Sequence, residues 1–169
     1  MAGGIQWNRF DIVELIYELL DTNILNAREH RIRFRLNKAV SDSEESLFVH
    51  ADRHRISQVI NQLIVNAIKY SKKGSHITIG LADAPDQVSV EISDEGIGIC
   101  PSDFPKVFER CFLPDKSGFG DQEVRLGLYG VKKVIDAHRE TMKVRSNNGI
   151  GTTFTFTLSK HCRQPEAVS

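Results

Sequence analysis

The chain has 169 residues, of which 40% are hydrophobic, and this suits one globular domain that buries about two thirds of its unfolded surface. Its 22 lysines and arginines balance 22 aspartates and glutamates, so no net charge draws the chain to nucleic acid or to an anionic membrane. The composition therefore excludes a general polyanion-binding protein, and any phosphate site must be local.

The cysteine usage bears on the compartment. The three cysteines are Cys100, Cys111 and Cys162. They are odd in number, far apart and without C-x-x-C spacing, which argues against a disulfide framework and a zinc site and favours a reducing compartment. No apolar run approaches the roughly 18 residues that cross a bilayer. We therefore expect a cytoplasmic domain over residues 5–159 without membrane contact, preceded by a cloning remnant over 1–4 and followed by a disordered tail over 160–169.

The first predicted elements are a helix and two short strands. From Phe10 onward, apolar residues recur at helical spacing as far as Ile24, and Asn8 is the predicted N-cap. Residues 31–36 alternate strictly between arginine and an apolar side chain, which predicts a half-buried strand. Residues 47–49 predict a second short strand.

The middle of the chain carries the strongest periodicity. Residues 51–74 repeat apolar side chains at helical spacing, and the predicted helix ends at Gly74. Two alternating segments follow, residues 77–81 and 88–92, and the polar turn between them predicts a β-hairpin.

The last third predicts a short helix over 103–112 and a loop over 113–125, which is long enough to act as a lid. A further helix is predicted over 126–138, and strands over 142–144 and 154–158. Helices and strands are interspersed without strict alternation. This order predicts an α+β fold, a two-layer α/β sandwich in which helices cover one face of a mixed, mostly antiparallel sheet.

The long helix has a polar stripe opposite its apolar face. Four residues at i, i+4, i+7 and i+11 form it: Gln62, Asn66, Lys69 and Lys73. An amide oxygen suits Mg²⁺, and an ammonium group one turn later can meet a phosphate. A solvated helix face explains the same stripe, so the stripe alone does not decide between the two interpretations.

Five short blocks occur in order along the chain: "NQLIVNAIKYS", "SDEGIGI", "FPKVFERCF", "RLGLYGVKK" and "GIGTTF". This order resembles the N, G1, F and G2 boxes of the catalytic ATP-binding domain of sensor histidine kinases, within the gyrase, heat-shock chaperone, histidine kinase and mismatch-repair ATPase superfamily. The resemblance covers residues 10–158. It implies the Bergerat-type ATP-binding fold, with ATP and Mg²⁺ as cofactors.

The resemblance also implies a reaction and partners. Such a domain transfers the γ-phosphoryl group of Mg-ATP to a histidine on a dimerisation domain of the same full-length protein, and a response regulator is served indirectly. None of the six histidines here is followed by an acid and a downstream proline on a helix, the pattern of the acceptor. We therefore expect the acceptor outside this chain, and no autophosphorylation by this chain alone.

The block after the hairpin would recognise the base. By the resemblance, Asp94 accepts a hydrogen bond from the adenine amino group, a role that suits a fixed carboxylate. Gly96 and Gly98 would let the nucleotide approach the backbone. A turn aspartate with flexible glycines is the simpler alternative.

The helical block would hold the metal and the phosphates. Asn66 matches the magnesium-ligating asparagine of the family. Lys69 and Tyr70 match residues near the phosphates and the base, and we take Asn66 and Lys69 as the candidate catalytic residues. For Lys69, a solvated surface charge is the alternative.

The two C-terminal blocks complete the predicted site. Gly127 and Leu128 match the last phosphate-side block, where a helix starting at residue 126 would offer free amides to a phosphate. Thr152 and Thr153 resemble the strand start that closes the base pocket, although threonine is common in strands in any case.

Three departures from the family pattern leave other functions open. Gln62 stands where the family has asparagine, Arg125 stands where it has glycine, and "HRE" over 138–140 replaces "HGG". A glutamine has no basic carboxylate, so ATP hydrolysis as the main activity is disfavoured. A degenerate, noncatalytic interaction module of the same fold and an anti-sigma-type serine kinase are the alternatives.

Overall fold

A computed structural model describes residues 4–39, 46–99, 122–147 and 149–162. The elements in these residues, in chain order, are β1 (Trp7–Asp11), α1 (Ile12–Glu29), β2 (Arg33–Ala39), β3 (Phe48–Asp52), α2 (Arg53–Tyr70), β4 (His76–Asp83), β5 (Gln87–Asp94), α3 (Gln122–Ala137), β6 (Met142–Asn147) and β7 (Gly151–Ser159). The helix predicted over 103–112 and residues 113–121 of the loop predicted over 113–125 lie outside the described residues, whereas residues 122–125 belong to α3.

The main sheet has five strands in the order β2-β4-β5-β7-β6. Strands β2 and β4 run parallel, and the other neighbours run antiparallel. A second, two-stranded sheet pairs β1 with β3. The predicted α+β sandwich with a mixed, mostly antiparallel sheet is confirmed, and so is the hairpin β4–β5.

The core lies between one face of the main sheet and the helices. Each central strand buries every second side chain, as in β4, where Ile77, Ile79 and Leu81 are buried and the intervening residues are not. Helix α2 contributes a continuous buried stripe of apolar residues: Ile56, Val59, Ile60, Leu63, Ile64, Ala67 and Ile68. Each large aliphatic side chain in this layer contributes about 1.5–3 kcal/mol by its burial. The helices therefore cover one face of the sheet, as predicted.

The predicted start of the first helix is wrong. Asn8 lies in strand β1, and α1 begins at Ile12 with Asp11 as its N-cap. The Asp11 carboxylate accepts from the amides of Val13 at 2.9 Å and Leu47 at 3.1 Å, so it caps the helix and fastens the start of β3. Helical spacing alone could not separate this short strand from the helix that follows it.

The predicted end of the long helix is also wrong. Helix α2 ends at Tyr70, and Ser71 is extended and forms an isolated β-bridge with Gly96. Lys73 therefore lies beyond the helix and does not continue the polar stripe. The predicted stop at Gly74 coincides with a residue of positive φ, 85°, in the turn that leads to β4.

Helix α3 begins earlier than predicted, at Gln122 rather than at residue 126. Gly127 is consequently the sixth helical residue, and its amide is not among the free N–H groups of the first turn. At the other end, the Glu140 amide donates to the Ile135 carbonyl at 3.1 Å, and Arg139 has a φ of 58°. This is a Schellman-type stop in which Arg139 occupies the left-handed position that glycine normally takes.

Glu140 compensates for the second missing glycine. Its side chain is buried, and it accepts from the Thr157 hydroxyl at 2.9 Å and from the Ser159 amide at 2.8 Å. The "HRE" sequence thus lacks the glycines that favour a turn, but its Glu140 carboxylate links the end of α3 to β7 by hydrogen bonds. Lys160 continues the hydrogen bonding of the sheet by donating to the Asp86 carbonyl, and its ammonium group contacts the Asp83 carboxylate.

Candidate functional site

A cavity opens between α2, α3 and the ends of β5 and β7. Its lining is largely apolar with a few polar groups, and consists of Asn66, Tyr70, Asp94, Ile97, Gly98, Ile99, Leu128, Thr152 and Phe154. An apolar lining with a few polar groups is typical of a small-molecule site. Six of the residues predicted from sequence line it.

Asp94 is the last residue of β5 and the main charged group of the cavity wall. Its Oδ1 atom accepts from the Gly96 amide at 2.9 Å and from the Thr152 amide at 3.2 Å. Among the described residues, no hydrogen bond is directed at Oδ2, so this oxygen is available to a ligand. Burial raises the pKa of Asp94 to about 6, although the two amides act in the opposite direction.

The backbone packs tightly around Asp94, which explains two glycines. A Cβ atom at Gly96 would lie 2.2 Å from the Tyr70 carbonyl oxygen, and one at Gly151 would lie 2.1 Å from the Asp94 carbonyl oxygen. Both contacts involve backbone atoms that cannot move aside. Gly98, with a φ of 73°, forms part of the cavity wall itself.

Asn66 lies across the cavity, on α2. Its side chain is only 7% exposed, and its Oδ1 atom has no hydrogen-bond partner among the described residues. A buried amide oxygen without a partner is costly, so its presence argues for a ligand and against a solvated helix face. The atom is a hard oxygen donor, which fits Mg²⁺.

A cation at Asn66 would need other ligands besides the protein. In the described part of the chain, no group of three or more His, Cys, Asp or Glu side chains could hold a metal ion. Mg²⁺ commonly keeps several waters and takes substrate phosphates as ligands, so one amide oxygen is compatible with it. The donor set thus fits a metal that arrives with a polyphosphate.

Besides Gly96, which packs against the Tyr70 backbone, three predicted residues do not line the cavity. Lys69 is half-buried on the last turn of α2, outside the lining. Gly127 lies in the second turn of α3, next to the lining residue Leu128. Thr153 points to the opposite face of β7, where its hydroxyl lies 2.5 Å from that of Ser93.

The unusual Gln62 also lies outside the cavity. It lines a groove between α2 and α3 together with Asn61, Gly130 and Val134. Asn61 is engaged elsewhere, because its Oδ1 accepts from Asn23 of α1 at 2.8 Å. Neither side chain therefore replaces the family's second asparagine inside the cavity. The side chain of Arg125 lies outside the described residues.

Sequence reasoning missed four residues of the site. Ile97, Ile99 and Phe154 supply apolar walls, and Ser146 braces them from β6. The Ser146 hydroxyl accepts from the Ile99 amide at 2.6 Å and donates to the Gly151 carbonyl at 3.0 Å. A signal existed for Ser146, because it is a polar residue on the strand face that also carries Met142 and Val144.

Comparison with known proteins agrees with this geometry. A sequence profile of the family described as "Histidine kinase-, DNA gyrase B-, and HSP90-like ATPase" matches residues 51–161, which contain every lining residue of the cavity. The chain belongs to this family. It is an ATP-binding domain of the histidine kinase type, as the order of its motifs predicted.

Curated relatives are longer proteins. "Sensor histidine kinase WalK" of Bacillus subtilis (strain 168) is 34% identical over 163 residues, covering 90% of this chain and 25% of that protein. The chain thus spans about a quarter of the length of the relatives it matches. Among the described residues, none of the helices combines the length and apolar character that crossing a membrane requires.

Solved structures show the same architecture. The nucleotide-free catalytic domain of the histidine kinase ThkA superposes with a TM-score of 0.78 at 28% identity, covering 92% of this chain and 96% of that one. ThkA has also been solved in complex with the response regulator protein TrrA, and that kinase chain superposes with a TM-score of 0.73 at 25% identity, covering 93% of this chain and 42% of that one.

Proposed function

We propose that this domain binds Mg-ATP in the cavity and donates the γ-phosphoryl group to a histidine on a dimerisation domain of the same full-length protein. One observation carries the proposal. Asp94 and Asn66 line the same cavity, and the amide oxygen of Asn66 has no hydrogen-bond partner among the described residues. The Asp94 carboxylate can accept a hydrogen bond from the adenine amino group, and the Asn66 amide oxygen can ligate the Mg²⁺ of a nucleoside triphosphate.

In this proposal the adenine ring lies among the apolar walls formed by Ile97, Ile99 and Phe154. The free Oδ2 of Asp94 accepts the exocyclic amino group. Oδ1 stays fixed by the amides of Gly96 and Thr152, so the carboxylate needs no reorganisation when the base arrives. Tyr70 closes the side of the cavity next to α2.

The phosphates would leave the base pocket between α2 and α3. Asn66 would hold the Mg²⁺ of the nucleotide, and this cation would supply charge neutralisation at the phosphates. Lys69, one turn further along α2, supplies a cation to the phosphates. Leu128 borders their path, and Gly127 beside it adds no side chain that would obstruct them. Thr153, bonded to Ser93, supports the wall from behind.

Phosphoryl transfer needs positioning and charge neutralisation more than it needs an acid or a base. The absence of a carboxylate at Gln62 is consistent with that requirement, because no water has to be activated. The acceptor imidazole supplies the nucleophilic nitrogen, the bond to the γ-phosphorus forms, and ADP departs with the bridging oxygen. By analogy with the ThkA complex, a response regulator would then receive the phosphoryl group from the acceptor histidine.

Base recognition can be tested by comparing non-hydrolysable analogues of ATP and GTP in calorimetric titrations. Guanine presents an acceptor oxygen where adenine presents an amino group, so we expect the GTP analogue to bind at least about tenfold more weakly. The Asp94→Asn variant can donate to that oxygen and should lose most of the discrimination. Equal binding of both analogues by the parent protein would contradict the assigned role of Asp94.

The transfer itself can be tested on the full-length protein with γ-labelled ATP. Phosphohistidine is lost in acid, whereas phosphoserine survives, so the expected label is acid-labile. An acid-stable label would instead identify a serine kinase. Analogue binding without any label would identify a noncatalytic module.

A further inference from the structure

Beyond the cavity, the far ends of α2 and α3 meet in a buried cluster of aromatic and polar side chains. His138, just after α3, is 1% exposed, and its Nε2 atom lies 3.0 Å from the amide nitrogen of Asp52, the N-cap of α2. Its Nδ1 atom lies 2.8 Å from the Val134 carbonyl oxygen. These two contacts tie the beginning of one helix to the end of the other.

The partners fix the protonation of the imidazole. An amide N–H only donates, so Nε2 of His138 accepts, and a carbonyl only accepts, so Nδ1 carries the hydrogen and donates. His138 is therefore the neutral Nδ1–H tautomer and uses both nitrogens to bridge the two helices. An apolar side chain of similar size could make neither bond.

Strand β1 joins the same cluster. Trp7 contacts His138 edge to face, with ring centroids 5.3 Å apart, and stacks on His50 at 5.6 Å and 6°. Trp7 is also the register partner of Asp52, and the preceding Gln6 amide donates to the Asp52 carboxylate at 2.9 Å. A displacement of β1 would therefore act directly on the residues that join α2 to α3.

The two helices connect this cluster to the cavity. They run antiparallel, because the cluster contains the start of α2 and the end of α3, whereas the cavity contains Asn66 from the later part of α2 and Leu128 from the earlier part of α3. Asn66 lies about 20 Å along α2 from Asp52, and Leu128 about 15 Å along α3 from His138. A small change of angle at the tie would change the spacing between the two cavity walls.

We propose that His138 is a positioning residue that couples strand β1 to the nucleotide cavity through the relative placement of α2 and α3. The inference rests on the proposed binding of ATP in that cavity. Because coupling between two sites is reciprocal, nucleotide binding must also alter the surroundings of Trp7. Trp7 is the sole tryptophan of the chain, so its fluorescence reports on the cluster without labelling.

The first test follows Trp7 fluorescence while a non-hydrolysable ATP analogue with Mg²⁺ is added, with excitation at the red edge of the tryptophan band, where adenine does not absorb. Calorimetry on the same samples establishes that the analogue binds. A saturable change in emission with the calorimetric affinity is expected. Binding without any change in Trp7 emission or in its accessibility to a quencher would overturn the coupling, whereas absence of binding would refute the proposed function instead.

The second test compares variants. His138→Leu removes both bonds of the tie, and we expect it to weaken analogue binding about fivefold or more and to abolish the Trp7 response. His138→Gln keeps an acceptor for the Asp52 amide and should restore part of both. If the leucine variant does not fold, the glutamine variant and the fluorescence of the parent protein still decide the question.

Asn23→Ala provides a matched control. It also removes a buried side-chain bond between helices, but this bond joins α1 to Asn61 of α2 and is not part of the tie between α2 and α3. We expect it to lower stability while leaving analogue affinity within about twofold of the parent. If both variants weaken binding equally for the same loss of stability, His138 is merely structural and the proposal fails.

Discussion

At the start of α2, the Asp52 carboxylate accepts from the amides of Gln6 and Arg55 and pairs with the Arg55 guanidinium at 3.3 Å. Beside the far end of the same helix, by contrast, Asp94 accepts hydrogen bonds from the described residues through one oxygen only. Burial on its own would raise the pKa of Asp52, but these partners outweigh it and lower the pKa below the usual value. For Asp94, burial prevails and raises the pKa to about 6. The described residues bond the Asp52 carboxylate fully, whereas they leave one oxygen of Asp94 available to a ligand.

Two asparagines repeat this contrast. Asn23 is buried and donates to both the Leu19 carbonyl and the Asn61 side chain at 2.8 Å. Asn66 is equally buried, but its amide oxygen has no partner among the described residues. The difference teaches that burial alone does not identify a functional polar group. A better indicator is a buried polar group with hydrogen-bonding capacity that no described residue uses.

The largest effect on stability is expected at the start of α2, where the Asp52 carboxylate is fully bonded. Asp52→Ala removes a helix cap and leaves the Gln6 amide and the Arg55 side chain without their carboxylate, so it should lower the free energy of unfolding by about 2–4 kcal/mol. Urea denaturation measures the change. Asp52→Asn, which keeps an acceptor oxygen, should lose less. A loss well below 1 kcal/mol for the alanine variant would show that the Asp52 network is not structural.

The next largest effect distinguishes the two asparagines. Asn66→Leu removes a buried amide oxygen that has no partner among the described residues, so we expect the unfolding free energy of the nucleotide-free domain to rise by about 1–2 kcal/mol. The same variant should lose the Mg²⁺ dependence of analogue binding. The matched change Asn23→Leu should instead destabilise the domain. If Asn66→Leu destabilises the domain as much as Asn23→Leu does, Asn66 has a structural role rather than a binding role.

A third effect follows from the pKa of Asp94. Its raised pKa means that the free domain gains stability as the pH falls through about 6, because the folded state takes up the proton before the unfolded state does. Nucleotide binding has the opposite trend, since the protonated carboxyl is a poorer acceptor, and affinity should fall about tenfold between about pH 7 and pH 5. The lowered pKa of Asp52 predicts a loss of stability only in more acidic solution, below the ordinary value of 3.8.

Titrations of analogue affinity against pH, with Asp94→Asn as the control, test this prediction. The asparagine variant should bind weakly at every pH and lose the slope near pH 6. A parent profile that is flat across this range would mean that Asp94 does not accept a hydrogen bond from the base.

The smallest effect concerns the end of α3. Arg139 has a φ of 58°, a conformation that costs a residue with a Cβ more than it costs glycine. Arg139→Gly should therefore raise the unfolding free energy by about 0.5–1 kcal/mol, measured by urea denaturation. Because Arg139→Gly leaves both hydrogen bonds of His138 in place, analogue affinity should not change. A stabilised variant with altered affinity would show that the conformation of residue 139 also acts on the cavity.

Sequence reasoning could predict the fold because period-two and helical patterns are strong in the core. The buried stripe of α2 and the alternating side chains of β4 and β5 are visible without a structure. Strand β1 could not be predicted, because Trp7–Asp11 is short and runs directly into the pattern of α1. Its burial depends on pairing with β3, some 40 residues further along the chain.

The site was predictable where a residue type has few other uses. Asp94, Asn66 and the glycines around them follow from the motif order, and the structure gathers Asp94, Asn66 and Gly98 around one cavity. The apolar wall residue Phe154 was not predictable as part of the site, because a strand phenylalanine looks the same whether it faces a core or a ligand. Thr153 lies on the face of β7 opposite to Thr152, since neighbouring strand residues point in opposite directions.

The most direct measurement is a calorimetric titration of the domain with a non-hydrolysable ATP analogue and Mg²⁺, performed on the parent protein and on Asp94→Asn. The proposed role of Asp94 predicts saturable binding by the parent and a loss of about 1–3 kcal/mol of binding free energy in the variant, because the base loses one buried, charged acceptor. Absence of binding by the parent, or the same affinity in both proteins, would contradict it.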